Sequence, residues 1–427
     1  MWSHYRARRR AAERQRLATE DNKMCLATLA SMGEDENEER VYIGSVPGRR
    51  TIPRDRYSGY IRLMEDYFVA NPVYGENLFR RRFRMRRTMF DDILARVQER
   101  NVYFRLRHNA AGQAGFHPIQ KVTAALRLLA YGGSADRLDE YIRMGESTIM
   151  ETLQHFTRTI VDIYGPEFLR QPNDNDITKL LAVAEQRGFP GMLGSIDCMH
   201  WEWENCPTAL QGQYRGHFKK PTLILEAVAS HDLWIWHAFF GMPGSCNDIN
   251  VLHRSPVFDR ISSGNGPEVH YAVNGREYNM GYYLADGIYP PWATLIGGIS
   301  IPKSNKQKLF TDLQSAYRKD VECGFGILQA KFHIIKRPSK IWSPEDMKFI
   351  VDCVIILHNM GIKFEQDVGQ LRIEDYEGAT QPNISANRNV PEVEALIDAH
   401  RRIRSRLANE QLKLDLVEHV WNHYGRS

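Results

Sequence analysis

The chain has 427 residues, 43% of them hydrophobic and 25% charged, the balance of a soluble globular protein with room for two domains or one large domain with appendages. No stretch approaches the roughly 18 uninterrupted apolar residues of a membrane span. The six cysteines are scattered without a CxxC pair, which argues against a disulfide framework or a zinc site. The net charge of +4 is unevenly spread: residues 1–107 hold 23 Lys+Arg against 15 Asp+Glu, or +8, leaving −4 for the remainder.

Residues 1–55 are polar, with basic Arg6–Arg10 and an acidic patch from Glu34 to Glu39. They read as a tail without regular structure. Residues 56–175 read as helical, starting with YIRLMEDYF and RTMFDDILARVQER, whose apolar residues recur at helical spacing. Between them lies RRRFRMRR, Arg80–Arg87. A solvated surface explains such a run, but its density points to phosphate contacts or nuclear import, with Arg80, Arg81 and Arg82 as candidates.

Residues 117–163 predict a helix-turn-helix. Pro118 opens one helix and the Gly132–Gly133 pair ends it. Ser134 caps a short second helix, and a turn at Met144–Gly145 leads into a third helix of about four turns. Ser147, Thr148, Glu151 and His155 would face outward, with Ser147, Thr148 and His155 as DNA contacts. Ile149, Leu153, Phe156 and Ile160 would pack inward.

Residues 190–365 predict an α/β domain with a mixed sheet. Three strand-like runs come first, GMLGSIDCMHWEWEN, PTLILEAVASHD and LWIWHAFFGMPGS, with a hairpin at Asp232 between the second and third. A helix capped by Asn247 or Asp248 follows, then GYYLADGIYP as a strand and SAYRKDVECGFGILQAKFHII as a helix. Residues 366–427 read as a linker and a C-terminal amphipathic helix suited to an interface, so a second copy of the chain is a candidate partner.

Asp197 and Asp286 each end a short hydrophobic run that reads as a strand, and Glu322 lies on the helix, 36 residues beyond Asp286. A buried strand rarely holds an unpaired charge, so Asp197 needs either a cationic partner or a metal. Taken alone, Glu322 is explained by an ion pair with Arg318 four residues earlier. Taken together, two strand-borne aspartates and a helix-borne glutamate can supply the oxygen ligands that Mg²⁺ or Mn²⁺ prefers. A pair of such ions clamps both oxygens of a phosphodiester exchange. Trp201 and Trp203 read as core residues. Lys219, Lys220 and Lys306 lie on loops that could meet phosphates.

GSIDCMHWEWENCPTALQGQYRGH, HAFFGMPGSCNDINVLHRSPVF, YYLADGIYPPWATLI and RKDVECGFGILQAKF resemble, in order, the motifs of PIF/Harbinger transposases of the plant Pong/Ping-like branch. The resemblance covers about residues 55–365. It implies a ribonuclease-H-like fold with flanking helices behind an all-α helix-turn-helix region. It also implies a catalytic, metal-binding triad of Asp197, Asp286 and Glu322, with Mg²⁺ or Mn²⁺ as cofactor. Nuclease/transposase activity on double-stranded DNA, a nuclear location and a Myb/SANT-like accessory protein are further expectations. His200, Asp248 and Arg318 would support the carboxylates or meet substrate. The family pattern has Arg directly after the glutamate, where this chain has Cys323. The rival expectation is a domesticated, non-catalytic chromatin- or transcription-associated DNA-binding protein on the same fold.

Overall fold

The computed structural model describes residues 52–110, 112–216, 219–259, 269–366 and 393–425. The tail expected over residues 1–55 lies almost wholly outside them. The described helical region begins with α1 (Arg56–Tyr67), α2 (Glu76–Phe83) and α3 (Arg87–Arg100), followed by α4 (Pro118–Tyr131), α5 (Asp136–Ile142), α6 (Glu146–Phe168) and α7 (Asp174–Gln186). Strand β1 (Met192–Glu202) opens the sheet region, followed by β2 (Thr222–Ala229), β3 (Ile235–Pro243), the short helix α8 (Asp248–Leu252) and the small strands β4 (Tyr271–Val273) and β5 (Arg276–Tyr278). Then come β6 (Tyr282–Leu284), β7 (Leu295–Ile296), α9 (Asn305–Lys331), α10 (Pro344–Gln366), α11 (Val393–Ile403) and α12 (Arg406–Tyr424).

Helix starts follow local chemistry. Asp55 accepts from Ser58 N ahead of α1, and Asn173 makes a reciprocal capping box with Asp176 at α7. His117 and Gln120 do the same at α4, with Pro118 in its first turn. These bonds satisfy amide groups that the helix itself leaves without partners. Two boundaries differ from expectation. Ser134 does not cap α5, because Ala135 occupies the cap position and makes no side-chain bond. Helix α6 has 23 residues, roughly six turns, because buried Tyr164 and Phe168 extend its packed stripe through Pro166. Ile149, Leu153, Phe156 and Ile160 are buried as the periodicity predicts.

The five-stranded sheet has the order β3-β2-β1-β6-β7. Strands β1, β2 and β3 form an antiparallel meander, and β6 and β7 run parallel to β1. This is a mixed sheet with flanking helices behind a helical region. Its pairing with β6 shifts register between Met192 and Gly194. Gly194 has φ +148°, and a Cβ there would stand 2.5 Å from Ala229 O, so the bulge depends on glycine. Beyond it, alternate residues of β1 face opposite sides of the sheet. Trp201 and Trp203 lie fully in the core; their indole Nε1 atoms donate to Arg337 O and Ile341 O, each at 2.8 Å.

One hydrophobic cluster runs from Leu63 through Phe168, Trp201 and Leu225 to Met360, joining the helical region to one face of the sheet. Asn359 on α10 is buried at that junction. Its amide donates to Phe168 O at 2.7 Å and Ile235 O at 2.8 Å, and its oxygen accepts from Ile235 N at 3.0 Å. No described helix is long and apolar enough to cross a membrane.

Candidate active site

Asp197 sits within β1 rather than at its end, because the buried tryptophans carry the strand on to Glu202. Asp286 lies two residues beyond β6, and its Oδ1 accepts from Ile288 N at 2.5 Å, which fixes the turn through Gly287. Glu322 lies on α9, four residues after Arg318. Helix α9 packs across β1: Val321 N donates to the buried Ser195 Oγ at 3.0 Å.

Arg318 joins two of the three carboxylates. Its Nη1 stands 3.0 Å from Glu322 Oε1 and 3.7 Å from Asp197 Oδ2. The cationic partner required by a strand aspartate is therefore present. Asp197 is nevertheless poorly solvated: burial pushes its carboxyl up to about 6, the Cys198 amide (2.8 Å) and Arg318 pull it down, and Asp248 and Glu322 push it up again. Burial likewise raises Asp248, with Asp286 and Glu226 adding like-charge repulsion. Asp248 thus couples electrostatically to both Asp197 and Asp286. It is not the helix cap; Asn247 takes that place by accepting from Asn250 N at 2.9 Å. His200 Nδ1 meets Thr222 Oγ1 at 3.0 Å, and burial lowers its pKa.

Carboxylates linked in this way, Glu322 and Asp248 to Asp197 and Asp286 to Asp248, are the oxygen donors that a hard divalent cation prefers. As they stand, no three His, Cys, Asp or Glu side chains among the described residues are arranged to hold a metal. Arg318 occupies the space between Asp197 and Glu322, so a shared ion requires that side chain to swing away. Cys323, where the resembling family has Arg, is exposed.

The opposite face of β1 holds groups that the sequence reading passed over. Glu226 on β2 pairs in register with Cys198 and is fully buried. Neither of its oxygens has a hydrogen bond, and His237 Nε2 lies 3.3 Å from Oε1. Cys198 Sγ meets Tyr289 OH at 3.6 Å, and burial raises the pKa of both. The signal was a lone glutamate inside the apolar run TLILEAVA.

The expected DNA contacts are dispersed. Arg81 is exposed. Arg80 pairs with Glu365, and Arg82 covers the Tyr74 ring at 3.9 Å while bonding Tyr67 OH. Ser147 is exposed and Thr148 half-buried, while His155 stacks on Tyr103 with ring centroids 4.1 Å apart. Lys219 is exposed. Lys220 pairs with Glu202 at 2.8 Å and Lys306 with Glu418 at 2.6 Å.

Residues 59–98 match the model of a domain of unknown function. No curated protein and no solved structure matches the chain at a significant level. Residues 166–369, just under half of the chain and including Asp197, Asp286 and Glu322, match the family model of a plant transposon protein, which supports a transposon-related protein.

Proposed function

We propose that the chain is a metal-dependent DNA endonuclease/transposase of the PIF/Harbinger type, acting through Asp197, Asp286 and Glu322. The observation that carries this reading is the convergence of charge within the transposon-matching segment: Glu322 and Asp248 both act on Asp197, and Asp286 acts on Asp248. The meander of β1–β3 with β6 and β7 parallel to β1 supports a ribonuclease-H-like fold. So does the position of the carboxylates on β1, just beyond β6 and on the helix that covers β1.

Asp197, Asp286 and Glu322 would hold Mg²⁺ or Mn²⁺, which when bound supplies positive charge to the phosphodiester as it gathers negative charge. Arg318 holds Asp197 and Glu322 close to each other before a cation arrives. The Ile288 amide fixes the orientation of Asp286, and the Cys198 amide does the same for Asp197. Double-stranded DNA is the substrate of this reading, the nucleus its place of action, and a Myb/SANT-like protein its accessory partner. Residues 56–175, with the helix-turn-helix over 117–163, would contact element ends, and residues 190–365 would cut and join.

A specific observation favours the rival, a domesticated non-catalytic DNA-binding protein: Arg318 stands between two of the carboxylates. A supercoiled-plasmid nicking assay with Mg²⁺ or Mn²⁺ separates the two. Wild type is expected to nick, while Asp286→Ala and Glu322→Gln lose at least a hundredfold in rate. Equal nicking by wild type and Asp286→Ala, or none by wild type with its accessory protein present, would overturn the enzymatic reading.

A further inference from the structure

A cavity of about 260 Å³ opens where the α4–α5 turn meets the segment after α9. Arg127, Arg137, His333 and Arg337 line it together with Tyr131 and Ser134, and none of its lining residues is acidic. On neighbouring α5, Asp139 is held away from it by Arg54 at 2.6 Å, and Asp136 also acts on Arg54.

The cations around this cavity lack partners for part of their hydrogen-bonding capacity. Arg84 and Arg127 each bury an Nε with no acceptor, and their guanidinium groups lie 5.7 and 5.8 Å from the centre of the Tyr131 ring. Arg127 spends one amino group on Tyr67 OH at 3.0 Å. Arg337 has a weak contact of 3.5 Å with Gly132 O. The surroundings of His333 report the same excess of positive charge: burial lowers its pKa, and Arg84, Lys336 and Arg337 lower it further, with no carboxylate opposing them. Buried donors without acceptors and uncompensated positive charge suit a tetrahedral anion with several acceptor oxygens.

The cavity is also built with little tolerance. Gly132 has φ +55°, and a Cβ there would stand 2.6 Å from His333 O. Any larger residue would push the turn away from the 333–337 segment and widen the space between Arg127 and Arg337.

We infer that this cleft binds a phosphate group, and that the phosphate belongs to the backbone of a DNA duplex held by the protein. The DNA assignment rests on the nucleic-acid reading above; the phosphate assignment does not. The cleft adjoins the C-terminal end of the helix that carries Glu322. From Glu322 to Lys331 that helix advances nine residues, roughly 14 Å, a distance of about four base-pair steps of duplex. A phosphate anchored there would fix the register of the duplex relative to the carboxylates without reading its sequence.

Arg137 and Arg337 are both exposed, so an R137A/R337A variant removes charge without opening the core. Melting temperatures with and without inorganic phosphate, at matched ionic strength, are compared for wild type, this variant and Lys179→Ala, which removes a charge outside the cavity. Binding of a 30-base-pair duplex is then titrated against salt for all three. Phosphate is expected to raise the melting temperature of wild type and Lys179→Ala more than that of the double variant. The double variant is also expected to bind duplex about tenfold more weakly, with a salt slope shallower by about one. Lost phosphate protection with unchanged duplex binding would keep the phosphate site but overturn DNA as its source. Unchanged behaviour in both arms would overturn the site itself. If wild type binds no duplex, the nucleic-acid reading fails and the phosphate arm alone judges the cleft.

Discussion

Asp197 combines two requirements that conflict. Its carboxyl is pushed up to about 6 chiefly by burial, so ionising it within the fold costs on the order of 3 kcal/mol relative to a solvated aspartate. The folded chain holds this proton more tightly than the unfolded chain does. The associated stability is therefore fully present below about pH 4 and is lost as pH rises through about 6. Asp197→Asn should raise stability at pH 8 by roughly 1–3 kcal/mol, with a smaller gain at pH 4.5, while abolishing nicking. Urea midpoints at the two pH values test this; a gain that grows on acidification would count against it. Glu226, fully buried with neither oxygen hydrogen-bonded, relies on His237 at 3.3 Å for its partner.

At the scale of elements, position within the fold decides what the carboxylates can do. The Gly194 bulge sets β1 against β6, and a one-residue slip there would exchange the faces of Asp197 and Cys198 relative to that neighbour. Gly194→Val should cost about 2–4 kcal/mol and remove nicking although every carboxylate remains. Normal activity in a protein with an unchanged melting temperature would show that the bulge is dispensable. Much of this layer was legible beforehand. The Asp232 hairpin announced itself by a turn between two β-rich runs, and the Arg318–Glu322 pair by its spacing of four. The length of β1 was harder to read, because burial of Trp201 and Trp203 is a tertiary event that carries the strand past Asp197. Glu226 escaped notice because a single charge in an apolar run reads equally well as an exposed position. The basic run at 80–87 looked like a phosphate surface, yet Arg82 and Arg87 lie against aromatic rings, a use of arginine that composition does not reveal.

For the whole molecule, the shared core implies a shared fate. The cluster from Leu63 to Met360 runs without a break through helices α1 to α6, strands β1 to β3 and helices α9 and α10, and Asn359 ties α6, α10 and β3 through three buried hydrogen bonds. Unfolding followed by far-UV circular dichroism, which reports the helices, should coincide with unfolding followed by tryptophan fluorescence, which reports largely on the sheet region. Asn359→Ala should lower both midpoints together, by about 2–4 kcal/mol, since it strands two carbonyls and an amide. Two separate transitions would show that the helical region and the sheet fold independently.

The indole bonds of Trp201 and Trp203 to the 337–341 segment have a mechanical consequence. Strand β1 and helix α9 already touch through Ser195 and Val321, and the tryptophans fasten the far end of the same strand to the chain that leaves the helix. Two members joined at both ends form a closed truss, which resists shear in a way that a strand and a helix joined at one point would not. Arg337 sits at one joint, its carbonyl gripping the strand and its guanidinium facing the basic cleft. A load applied to that guanidinium is therefore transmitted along the strand that holds Asp197, rather than being absorbed by a loose loop.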